Sequence, residues 1–323
     1  MKWNAFDLFD PAFNKTKELL FPIDLKYWIK LAFVSLLSSG NSYGSGLRSS
    51  SFNLPSQTSR ESTNEITGNV VSGLDKVTFG LIGGLLVVGT LLLLLFKFIT
   101  STFTFIFIEA VIKKNFTIKE SWRNNKGNGL SFFGFRLISG IVFLGVSALI
   151  FLPILVRIFK IGFETFFDTL SITSLGAFIL FFILFLIWVF LFSTFMTFVS
   201  NFSLIDMYKN SVGITRAIKN TFGLMRSQKL ESFVYFVAVI VFGVVVGIIS
   251  LLILLPFLLV FGLIGFVLYL IFSFISSVVM VVVLVIYGIF LMYLLVMVFL
   301  PFRVFLRYFS IFGYEKLYNT KVI

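Results

Sequence analysis

Glu109 and Asp206 stand where the chain has few other acids, each at the end of a long apolar run. A basic loop follows each of them, containing Lys113 in one case and Lys209 in the other. Carboxylates so placed support two kinds of chemistry. As a matched pair they would take up a proton, a cation or a polar headgroup inside the membrane. As separate interfacial acids they would each pair with the lysine four or three residues on, a spacing that brings side chains together on a helix. The second reading leads. Trp122 in the first basic loop, with Arg216 and Lys219 in the second, are further candidates, since aromatic and cationic side chains suit a headgroup layer. The chain contains no His and no Cys. That excludes disulfides, thiol nucleophiles and imidazole or thiolate metal sites, along with the usual base near neutral pH. With no phosphate-binding loop, dinucleotide fingerprint or activated Ser in the sequence, the expectation is a protein without catalytic residues, metal or cofactor, and not an enzyme.

The elements that must position these groups are set by hydropathy. Between Ser232 and Phe302 the chain runs 71 residues without an Asp, Glu, Lys or Arg. A crossing needs about 20 apolar residues to span a hydrocarbon core about 30 Å thick, so this stretch alone holds more than one. Hydrophobic residues make up 59% and charged residues 12%. Soluble domains carry about 25% charged residues, so the deficit decides for lipid as solvent. The mean hydropathy is +1.06. The expected fold is all-α, a polytopic helical membrane bundle of about six spans. A net charge of +12 would suit nucleic acid, but the cations lie in short loops beside apolar helices, where the positive-inside bias puts them anyway. No nucleic-acid partner is expected, and the N-terminus shows no cleavable leader pattern.

Residues 1–37 read as an amphipathic helix from Asp10 to Leu20, then a marginal first span over Leu25–Leu37 carrying Tyr27 and Trp28. Residues 38–76, rich in Ser, Asn, Gly and Thr, read as a flexible external loop, because they bury too little apolar area to offset their ordering entropy. Residues 77–173 form a first membrane unit and 174–276 a second. Residues 277–323 form a last long helix with a basic tail. The two units share an order: long helix, basic segment, return helix, Leu-Pro. Ile118–Asn124 aligns with Ile214–Asn220, and Phe151–Pro153 with Leu254–Pro256. Both units start on the same side, which makes them parallel repeats. The repeat predicts an external or re-entrant segment over Leu259–Ser276. In the second basic loop, Ile214, Ile218, Phe222 and Met225 share one helical stripe, with Arg216, Lys219, Asn220 and Arg226 facing away. Gly80 and Gly84, and again Gly243 and Gly247, have the spacing of close helix packing, which is expected inside the bundle.

Three stretches carry a likeness: Ala5–Asp10 with Leu20–Leu31, Phe107–Ala110 with Gly134–Leu137, and Leu300–Tyr308. Together they resemble an uncharacterised family of archaeal multi-pass membrane proteins. The layout is also distantly similar to membrane-domain regions attached to some glycerophosphodiester phosphodiesterases, although the chain lacks their catalytic domain. The resemblance implies membrane topology and an archaeal host, and no activity.

The function expected from these features is non-enzymatic: a scaffold or accessory protein of the cell membrane whose basic helices engage anionic lipid headgroups, a protein partner or a second copy of itself. The alternative is a transporter or channel for an ion, lipid or small molecule, coupled through Glu109 and Asp206. With six spans and both termini cytoplasmic, nineteen Lys and Arg lie inside and five outside, Lys97 and Arg136 being within spans. That is the direction of the positive-inside rule. Because the chain has no Cys, single cysteines at Ser56 and Asn319 test the topology directly. They should react with an impermeant thiol reagent from opposite faces of sealed vesicles, and reaction from one face would sink the six-span arrangement.

Overall fold

The computed structural model describes residues 5–38, 76–114, 116–161 and 172–322. Among them the chain is helical, without strands. A short 3-10 turn at Ala5–Leu8 leads into α1 (Phe9–Leu20) and α2 (Leu25–Ser38). Then come α3 (Lys76–Ile112), α4 (Ile118–Ile161), α5 (Ile172–Asn210), α6 (Ile214–Ser227), α7 (Lys229–Ser273) and α8 (Ser277–Tyr318). Five of these, α3, α4, α5, α7 and α8, are long and apolar enough to cross a membrane. Lipid offers a backbone no hydrogen bonds, and a helix satisfies its own, so apolar runs of this length have one outcome. Side-chain hydroxyls on α3 follow the same logic: Thr100 and Ser101 bond the carbonyls of Phe96 and Lys97, one turn back. The chain is an integral membrane protein of the all-α, helical-bundle class.

The long helices alternate in direction, as their contacts show. Phe105 meets Phe132, and Arg136 donates to Ser101 and Thr104, which sets α4 antiparallel to α3. Trp188 bonds Ser147 while Phe151 meets Phe185, which sets α5 antiparallel to α4. α3, α5 and α8 therefore run the same way, and they converge at the end that carries the basic loops. Residues 100–111 of α3, 304–311 of α8 and nearly all of 198–207 of α5 are buried on every side. α1, α2, the start of α4, α6 and the start of α7 surround this core. Toward the opposite end the long helices turn large apolar side chains outward: Leu85–Phe96 on α3, Phe178–Leu191 on α5, and Val278–Met292 on α8. Contacts in that half include those joining α4 to α5 and α7 to α8. Such surface has a counterpart in acyl chains and none in water.

The structure departs from the sequence reading in two places, at the ends of the return helices and at the paired glycines. α2 has 14 residues, about 21 Å of helix, in keeping with its short apolar run. It packs on α3 and α8, with Phe33 against Phe103 and Tyr293 donating to the Ile29 carbonyl. The return helices do not stop at Pro153 and Pro256. α4 continues to Ile161 and α7 to Ser273, so most of Leu259–Ser276 is an extension of α7. Proline removes one N–H, but no polar cap or turn residue stands beside it to redirect the chain, and the break comes where Ser276 turns extended. Gly84, Gly243 and Gly247 face open space, with nothing within 4 Å of a Cβ placed on them. The last helix runs to Tyr318, where Asn319 closes it in the left-handed region at φ 49°. The expected loop over 38–76, Ser56 within it, lies outside the described residues save Ser38 and Lys76 at the helix ends, as do residues 162–171.

Close packing falls on two other glycines. Gly129 sits against Thr102, and Gly313 lies under the ring of Tyr235, where a Cβ would collide with Cε2. Tyr235 is fully buried, stacked on Phe309 and flanked by Phe198 and Phe202, so its ring has nowhere to go. Gly313→Ala should therefore lower stability by about 1–3 kcal/mol, read as a drop in melting midpoint in detergent or nanodiscs. Gly84→Ala should change it by less than about 0.5 kcal/mol. Equal effects at the two positions would contradict the packing described.

Candidate functional site

Both carboxylates lie in the core at the basic end, and both are occupied. Glu109 is 7% exposed. Its Oε1 accepts from Lys113 Nζ at 3.1 Å and its Oε2 from Asn125 Nδ2 at 2.9 Å. Lys113 is held above the usual lysine range, chiefly by this hydrogen bond, and so stays charged at neutral pH. Asp206 is 1% exposed. Its Oδ1 accepts from Asn210 Nδ2 at 2.6 Å and from Tyr314 Oη at 2.7 Å, and its Oδ2 from Asn220 Nδ2 at 2.9 Å. A buried carboxylate is costly unless its lone pairs are filled, and here the bundle's own donors fill them.

The two sites are built alike. Each acid ends a long helix, and each receives an asparagine amide from the first turns of the basic segment that follows. The ion-pair reading holds for Glu109 and fails for Asp206: among the described residues Lys209 forms no salt bridge, and Asn210, Asn220 and Tyr314 take its place. Asn220 is exposed, as expected, yet its amide reaches Asp206. The buried line of α6 is Ala217, Thr221 and Leu224, and Phe222, on the apolar stripe read from the sequence, is 46% exposed. Trp122 is half-buried against Phe98 and Phe103, with ring centroids 6.1 and 5.6 Å away. Arg216 and Lys219 are exposed, as expected.

Other polar groups complete the core, of which the sequence reading had noted only Tyr27. Arg303 donates to the carbonyl and hydroxyl of Ser35 at 3.0 and 2.9 Å, pinning α2 to α8. One turn on, Arg307 is 3% exposed, donates to Asn201 Oδ1 at 3.3 Å and lies 5.7 Å from the Phe107 ring centroid. The last carbonyls of α3, which have no partner within the helix, accept from Tyr27 Oη at Ala110 and from Tyr308 Oη at Val111. Burial pushes the Tyr27 hydroxyl well above its usual range, so it remains a donor. No group of three or more metal-ligating side chains occurs among the described residues. Chemically, the arrangement is a clamp: it fixes the basic segments to the core, and neither carboxylate is left free for a ligand.

If the clamp is structural, Asp206→Ala leaves the buried Tyr314 hydroxyl without its acceptor, while the exposed Asn210 and Asn220 amides can turn to water, and it should lower stability by about 1–3 kcal/mol. Lys209→Ala should fall within about 0.5 kcal/mol of the parent protein. Thermal melts of both variants in nanodiscs check this, and a larger loss at Lys209 would restore the ion-pair reading.

Comparison with curated proteins and comparison with solved structures each yield no match. One family matches residues 3–320, nearly the whole chain, and its members share the description "family of unknown function". The protein thus belongs to DUF7544, a family of unknown function.

Proposed function

We propose that the protein is a non-enzymatic membrane scaffold or accessory protein, and that its basic end faces the cytoplasm and engages anionic lipid or a protein partner. One observation carries the reading: the carboxylates are spent on internal hydrogen bonds, while the cations around them point outward. Lys113, Lys114, Lys119, Arg123, Lys126, Arg216, Lys219, Arg226 and Lys229 are all exposed at that end. A coupled transporter would keep an ionisable group open to its ion, commonly near the bilayer midplane. Glu109 and Asp206 lie instead near the helix ends, closed by two and three donors. The resemblance to archaeal multi-pass proteins suits this reading and adds no activity to it.

Mass spectrometry of the protein mildly extracted from its native membrane tests the proposal. The expected result is a stoichiometric protein partner or a retained anionic phospholipid. Flux across liposomes that falls to background in Glu109→Gln or Asp206→Asn, with the bundle still folded, would overturn it in favour of transport.

A further inference from the structure

The basic segments that follow the two carboxylates are built differently. In the first unit the segment is simply the opening of α4, continuous with a 44-residue helix. In the second it is α6, a separate 14-residue helix. Ser211, with φ 50°, precedes α6, and Gln228, with φ −123° and ψ 63°, follows it. α6 is held to the core by Asn220 on Asp206 and by the hydroxyl contact of Thr221 with Ser203 at 3.2 Å.

The outward side of α6 is cationic. Arg216, Lys219 and Arg226 are spaced by three and seven residues, which aligns them on one stripe about 15 Å long. Gly223 falls on the same stripe and leaves it bare, with nothing within 4 Å of a Cβ placed there. No acid occurs in α6. Phe222 is exposed along one edge of the stripe, beside the half-buried Ile214, Ile218 and Met225. The opening of α4 also exposes three cations, Lys119, Arg123 and Lys126. There, however, Glu120 stands among them, and Trp122 is half-buried against Phe103, so that segment has less net charge and no aromatic edge. A cationic stripe bordered by an apolar edge is the pattern of a helix lying at headgroup level.

We propose that α6 is the site at which the protein binds anionic phospholipid: phosphate-bearing headgroups settle along Arg216, Lys219 and Arg226 over the bare Gly223, while Phe222 enters the adjoining acyl chains. This rests on the reading that the basic end engages anionic lipid, and assigns the binding to one helix of the two candidates.

The full chain in nanodiscs of phosphatidylcholine, with or without phosphatidylglycerol, provides the test. Phosphatidylglycerol should raise the melting midpoint by about 3 °C and slow amide exchange across residues 214–227. Arg216→Gln, Lys219→Gln and Arg226→Gln combined should abolish the rise, at about fivefold weaker binding per cation removed. Lys119→Gln, Arg123→Gln and Lys126→Gln combined should retain it. Gly223→Glu puts a repelling carboxylate at an open position and should give the same loss as the α6 triple variant, so a folding failure of that variant does not spare the proposal. Equal loss in both triple variants, or loss in the α4 variant alone, overturns α6 as the site and leaves the basic-end reading standing. No rise and no slowed exchange in the parent protein overturns both.

Discussion

A carboxyl group buried away from water needs hydrogen-bond partners, and around Asp206 three stretches of chain meet to supply them. Asn210 comes from the end of α5, Asn220 from α6 and Tyr314 from the last turns of α8. The geometry that satisfies the acid also fixes where α5 ends, how α6 lies and how far α8 descends. Glu109 does the same at a smaller scale, with Lys113 and Asn125 tying α3 to the opening of α4. Removing one partner from such a cluster leaves a buried group without compensation, which costs more than the bond itself is worth.

Much of this architecture was legible. The apolar runs around Val77–Ile112, Ser174–Asp206 and Ser277–Phe309 are helices because nothing else satisfies a backbone in lipid. Glu109 and Asp206 drew notice because acids are rare in such runs, and they do occupy matching positions. Their partners were less legible. Asn220 read as outward-facing and is exposed, but nothing local showed that its amide reaches Asp206; for Glu109 the amide comes from Asn125 and not from Asn124, which the sequence reading had set against Asn220. Tyr314 lies 108 residues from Asp206, and Arg303 lies 268 from Ser35, so no local pattern connects them. Trp122 was noted for the cations beside it, and nothing in that local pattern showed that Phe98 and Phe103 pack against its ring.

The prolines and glycines carry a similar lesson. Pro256 read as a terminus because proline removes a donor, but surrounding residues supply no alternative turn and the helix runs on. The paired spacing of Gly80 with Gly84 and of Gly243 with Gly247 suggested close packing, while the positions that need the absence of a Cβ, Gly129 and Gly313, carry no such spacing. Close approach is a property of two surfaces, and one helix's sequence describes only its own.

α3, α5 and α8 converge at one end, and their opposite halves expose apolar side chains. Surrounding lipid would therefore meet two different objects along the helices. Around the converging end it would border a body of interlocked side chains whose outline the protein fixes. Along the opposite halves its acyl chains would themselves complete the packing on α3, α5 and α8. The stiffness of that half would then belong jointly to protein and bilayer and follow the order of the tails around it.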